Sequence, residues 1–164
     1  MNRYFALTAM TATLILGQQQ QPAADHQDCV NKRGDHAMGF SHEKTAHHFL
    51  LYTDGGAIEV ETNDPKDTAS RDQIQTHLKH IAKMFSASDF DVPMFIHDQV
   101  PPGVPVMKQL ASQIKYEFQP TSRGGLVRIT TETADAITAV HDFLRFQLKD
   151  HQTGDTVEVT PKLP

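Results

Sequence analysis

The sequence predicts an α+β fold: a two-layer sandwich with an antiparallel sheet from two hairpins and helices on one face. Three observations carry that expectation. "HHFLLYTDGGAIEVET" (47–62) sets two runs of aromatic, aliphatic and β-branched residues around Asp-Gly-Gly, a hairpin signature. "IKYEFQPTSRGGLVRITTE" (114–132) repeats the pattern with alternating Ile114, Tyr116 and Phe118 and a return strand bearing Val127 and Ile129. Each hairpin is followed by a segment of helical period, "SRDQIQTHLKHIAKMF" (70–85) and "ADAITAVHDFLRFQLKDHQTG" (134–154), giving the order ββα-ββα.

The chain begins with a short basic start, "MNR", and the apolar run "YFALTAMTATLILG", too short to span a bilayer. Residues 1–17 are therefore expected to be a secretory signal peptide, cleaved after Gly17, which places the protein in a secreted or periplasmic setting. Residues 18–34 are rich in Gln, Asp, Asn and Lys and are expected to form a flexible lead-in. Residues 35–160 are then expected to fold as a single domain, and about 147 residues after cleavage are enough for a real core.

In the first hairpin, a turn centred on Gly55 and Gly56 would set Tyr52 opposite Glu59 and Leu51 opposite Val60. Strand alternation sends Phe49, Leu51, Ile58 and Val60 to the core face, joined by His47, and sends His48 outward. The following helix has Ser70 and Gln73 at capping-box spacing and a stripe of Ile74, Leu78, Ile81 and Phe85. "SASDFDVPMFIHDQVPPGVPV" carries four prolines between Pro93 and Pro105, which predicts a long ordered loop and then a short helix beginning near Pro105. In the last helix Thr133 is a plausible N-cap, Ile137, Val140, Leu144 and Leu148 form the stripe, and the end falls near Gly154.

Composition narrows the function. A net charge of −5 with scattered Lys and Arg argues against a nucleic-acid surface, and no second long apolar run follows the first. The single cysteine, Cys29, excludes an internal disulfide and favours a free thiol. No G-x-S-x-G, G-x-x-x-x-G-K-[ST] or H-E-x-x-H pattern occurs.

The ten histidines are the chemical signal. "DHAMGFSHEKTAHHF" (35–49) concentrates four of them, yet only His47 has a structural reason to face inward. His77, His80 and Met84 are spaced by three and four residues and form one helix ridge. His141 falls inside the apolar stripe of the last helix, and His97 lies in the proline-rich segment that would rim the site. Imidazole is the commonest metal ligand, and a nearby thioether suits copper. The candidate metal ligands are therefore His47, His77, His80, His97 and His141, with Met84 as a weaker donor, for a Cu or Zn ion. His151 near a helix C-terminus is explained by the helix dipole alone.

The strings "MGF", "AHHF", "HLKHIA", "PMFIHD", "PPGVP" and "HDFLRFQ" together resemble a family of small secreted bacterial proteins, over about residues 29 to 155. The resemblance implies one domain and export, and brings no activity or site residue with it. The expected function is transition-metal binding, copper before zinc, with redox or hydrolytic activity as an extension. The alternative is a non-catalytic binding or structural module whose histidines serve core and surface.

Overall fold

The computed structural model describes residues 23–161; the expected signal peptide lies outside them. The two hairpins form one antiparallel sheet from β1 (Thr45–Tyr52), β2 (Gly55–Thr62), β3 (Lys115–Pro120) and β4 (Gly124–Thr130), in the order β1-β2-β4-β3. The long helices α2 (Thr68–Ser86) and α5 (Ala134–His151) cover its apolar face. Each crosses to the other hairpin: α2 lies over β4 and β3, and α5 over β1 and β2. The ββα-ββα α+β sandwich stands, with the predicted short helix α4 (Val104–Gln109) and two helices added, α1 (Ala23–Met38) and α3 (Asp91–His97).

The core lies between the sheet and the two long helices. Phe49, Leu51, Ile58, Val60, Val127 and Ile129 from the sheet meet Ile74, Leu78, Phe85, Val140, Phe143 and Leu144 from the helices. Phe85 and Phe90 stack at 4.5 Å between ring centroids, and Phe143 meets both edge-on. Gly56 is required where α5 comes down on the sheet, because a Cβ there would collide with Leu144 Cδ1 and the Leu50 carbonyl.

The first hairpin turns earlier than expected. Tyr52 pairs with Gly55 and His47 with Val60, so Thr53 and Asp54 form a two-residue turn and Gly55 takes φ +132°. The register differs from the expected one by an even number of residues, so every side chain keeps its predicted face. Helix α2 starts earlier too. Asp67 is its N-cap, accepting from the Ser70 amide at 3.0 Å and from the Ser70 hydroxyl at 2.7 Å, so Ser70 is capped rather than capping.

Two segments expected to be irregular are helical. The lead-in forms α1 from Ala23, and its Val30 is fully buried. Polar bonds hold the rest of α1: Arg33 Nε donates to the Ile96 carbonyl at 2.7 Å, and His26 bonds Asp150 at 2.9 Å. In the proline-rich segment Asp91–His97 forms α3 where the sequence predicts a loop. Pro93 sits in the first turn of α3, where no intrahelical amide bond is lost. Pro105 is in the first turn of α4, as the sequence predicts. The chain after α5 returns along β1, where Thr160 N donates to the Leu51 carbonyl and Thr53 N to the Thr160 carbonyl. That pairing covers part of an edge strand that would otherwise expose its amides.

Candidate functional site: an imidazole-lined cavity

Where β1 begins against α2, α3 and α5, four imidazoles gather around a small apolar cavity. His47 comes from β1, His77 from α2, His97 from α3 and His151 from α5, over a floor that includes Phe49, Leu78, Phe85, Ile96 and Phe143. His47 and His151 stack with parallel rings at 5.8 Å, and His151 also lies on Phe49 at 5.4 Å. His97 meets His151 edge-on at 4.9 Å. Phe40 closes the outer side, stacked on His47 at 6.2 Å and edge-on to His77 at 5.7 Å.

Crowding imidazoles into apolar surroundings disfavours their charged form. Burial, with the neighbouring His77 second, lowers the His47 pKa from 6.5 to about 4. Burial and His80 lower His77 to about 4, and burial with His47 and His97 lowers His151 to about 3. These three rings are neutral at neutral pH.

His97 is held differently. It is 2 % exposed, and both its nitrogens are engaged: Nδ1 with Asp150 Oδ2 at 2.5 Å and Nε2 with Gln147 Oε1 at 2.8 Å. Asp150 receives His26 on its other oxygen at 2.9 Å. Burial pushes the Asp150 carboxyl up, but the bonds from His26 and His97 together outweigh it and leave it below the usual carboxylate range.

Of the five predicted ligands, the fold brings His47, His77 and His97 to one cavity and separates the other two. His80 is exposed on α2, beside a shallow surface hollow that it shares with His77 and Met38. His141 is far from the others in role: its Nε2–H donates to the carbonyls of Tyr52 at 2.9 Å and Gly55 at 3.0 Å, pinning the hairpin turn to α5. An inward histidine on the stripe needed a polar partner, and the backbone supplies it. Met84, the weaker donor, packs against the hydrophobic core.

The thioether at the site is Met38, at the end of α1. Its Sδ lies 3.2 Å from His47 Nε2, which as a neutral donor gives an N–H···S bond. Two residues of this arrangement, Met38 and His151, lie outside the set the sequence singles out. His151 follows Leu144 and Leu148 by seven and three residues, so the helical stripe extended by one turn would have placed it inward. Met38 carries no such signal, because only tertiary docking of α1 brings it to β1.

A metal lies in the plane of each imidazole that binds it. The stacked planes of His47 and His151 do not meet, and His97 has no free nitrogen. Accordingly, among the described residues no three His, Cys, Asp or Glu side chains are placed to hold a metal ion. A set of three imidazoles, as a tetrahedral zinc site wants, does not fit this arrangement. A pair of one imidazole and one thioether does, since an ion about 2.0 Å from nitrogen and about 2.3 Å from sulfur spans such donors.

The chain matches no protein-family model, no curated protein and no solved structure. Among the described residues, no helix is long and apolar enough to cross a membrane.

Proposed function

We propose that this protein is an exported binder of a soft transition-metal ion, copper(I) in particular, held by His47 Nε2 and Met38 Sδ, with His77, which lines the same surface hollow as Met38, as a further imidazole. The observation that carries the reading is the 3.2 Å approach of the thioether to the ring nitrogen. Moving the His47 proton to Nδ1 turns that contact into two donors facing one point, a soft set suited to Cu(I). His77 and His80 lie beside Met38 around the same surface hollow, so a third donor is at hand from α2. The ion would be held or passed on; no reacting group of a catalytic mechanism is assigned.

Anaerobic titration with a chromophoric Cu(I) chelator tests this. One ion per chain is expected, with Met38→Leu weakening binding at least tenfold and leaving the melting temperature within about 2 °C. Absence of stoichiometric binding, or unchanged affinity in Met38→Leu, overturns the reading.

A second reading, a non-catalytic module with structural histidines, draws on His97, both of whose nitrogens are bonded to side chains, and on His141, whose Nε2 is bonded to two backbone carbonyls.

A further inference from the structure

The sheet has two edges, and the fold covers only one of them. Beside β1, Thr160 pairs with Tyr52, and the Asp155 carboxylate accepts from Phe49 N at 3.0 Å. The opposite edge, β3, has β4 as its only strand partner, and no other backbone group bonds it among the described residues. Which groups that edge exposes follows from the ladder. Glu117 pairs with Arg128 and Gln119 with Leu126, and just beyond them Thr121 N donates to the Gly124 carbonyl at 3.0 Å. Hydrogen bonding alternates along an antiparallel strand, so the odd-numbered residues of β3 turn their N–H and C=O towards β4. Tyr116 and Phe118 turn theirs outward. Pro120, with no N–H to lose, takes the next outward position, as proline does on an edge strand.

A second copy of β3 can meet this edge antiparallel, about a two-fold axis. Keeping the apolar sides of the two strands on one face requires the axis to pass through a residue. An axis at Lys115 or Glu117 sets that charge directly opposite its own copy, which is unfavourable. An axis at Phe118 or Gln119 brings the Pro120 ring into the ladder, against a carbonyl that needs an N–H donor. An axis at Tyr116 has neither fault. It sets Lys115 opposite Glu117 of the second copy, and by symmetry Glu117 opposite Lys115, as close pairs on the exposed face. The two Tyr116 residues exchange backbone bonds, and each Phe118 N–H meets the Ile114 carbonyl of the other copy. The Ile114 N–H, already bonded to the Ala111 carbonyl at 3.3 Å, is not needed. On the inner face Phe118, half-buried in the single chain, comes opposite Ile114.

We propose that β3 is a self-association surface: two copies of this chain join antiparallel through residues 114–118, about an axis at Tyr116, into one continuous sheet. Charges on an edge strand ordinarily block pairing; here they select a single register. The contact is short, so the dimer is weak and concentration-dependent. It uses neither the histidines nor a metal.

Sedimentation equilibrium from about 10 μM to about 1 mM covers the range of such a contact. Metal is chelated, and a reductant keeps the exposed Cys29 from bridging two chains. A monomer–dimer equilibrium is expected. Lys115→Glu and Glu117→Lys should each weaken it about tenfold, because each sets like charges opposite one another on both sides of the axis. The double variant restores opposite charges and should recover the parent's affinity. Both side chains are exposed, so the melting temperatures should stay near the parent's. Amide exchange at Tyr116 and Phe118 should slow as concentration rises. A monomer throughout the range overturns the proposal, as does a dimer in which those two amides exchange no more slowly. Single variants that dimerise like the parent, or a double variant no tighter than the singles, overturn the register and the proposal with it.

Discussion

His97 Nδ1 and Asp150 Oδ2 lie 2.5 Å apart although 53 residues separate them, and Asp150 ignores its own chain neighbour His151. The other carboxylate–histidine pairs follow the same rule. Asp35 bonds His42 at 2.9 Å, not His36, and Asp155 bonds His48 at 2.9 Å from across the fold. Adjacent residues on a helix point in different directions, so the five Asp-His neighbours in the sequence form no dyads of their own. The Asp150 carboxylate instead ties α1, α3 and α5 together through His26 and His97.

Asp150→Asn tests that role. The amide leaves the buried His97 without its ionised acceptor and weakens the hold on His26. A loss of about 2 kcal/mol is expected, the usual scale for hydrogen bonds to a charged group. For a chain of this size that lowers the melting temperature by roughly 4–8 °C. Thermal unfolding of the variant within about 1 °C of the parent would show that the pair is not structural.

Three neutral imidazoles also make stability depend on pH in a definite direction. His47, His77 and His151 have pKa values lowered to about 4, about 4 and about 3, whereas in the unfolded chain each titrates near 6.5. Below pH 6.5 the unfolded state therefore binds more protons than the folded state, so stability falls with pH down to about 4. The loss between pH 7 and pH 5 is expected to be on the order of 1 kcal/mol per ring, since these side chains are partly exposed and screened. His151→Phe keeps the stacking on Phe49 and removes one titrating group. Urea unfolding at the two pH values should show a smaller loss in His151→Phe than in the parent; an equal loss rejects the assignment for that ring.

His141 is predicted to be structural and nothing else. His141→Phe removes the donor shared by the Tyr52 and Gly55 carbonyls, leaving two buried acceptors. The cost should be about 2–3 kcal/mol, with Cu(I) affinity within a factor of two. A fall in affinity at unchanged stability would return His141 to the ligand set.

Legibility in the sequence followed the length scale of the interactions. Strand alternation and helical stripes are local periodicities, and they placed Phe49, Leu51, Ile58 and Val60 inward even with the hairpin register misplaced, because that error was even-numbered. Helix α1 was hidden because its docking depends on the buried Val30 and on polar bonds from Arg33 and His26 to distant groups. The stretch around Pro93 misled because proline forbids helix interiors but not first turns, and Pro93 occupies the first turn of α3 as Pro105 does that of the predicted α4. For the site, inward orientation of His47 was legible; the partners that decide what each imidazole does were not, since they arrive from other elements.

The same partners decide which histidines matter for the ion, and this gives the last prediction. His77 and His80 were one ridge by spacing, but His77 is tucked against Phe40 and beside the cavity while His80 is exposed. His77→Ala is expected to weaken Cu(I) binding by about tenfold, the scale of one supporting donor. His80→Ala should change it less than threefold, since an exposed ring must be ordered before it can contribute. His97→Ala should leave the affinity unchanged and lower the melting temperature, because both nitrogens of His97 are committed to Asp150 and Gln147. Affinity and melting temperature measured on all three variants separate the roles. Equal effects of His77→Ala and His80→Ala on affinity would place the ion on the outer face of α2 rather than at the Met38–His47 contact.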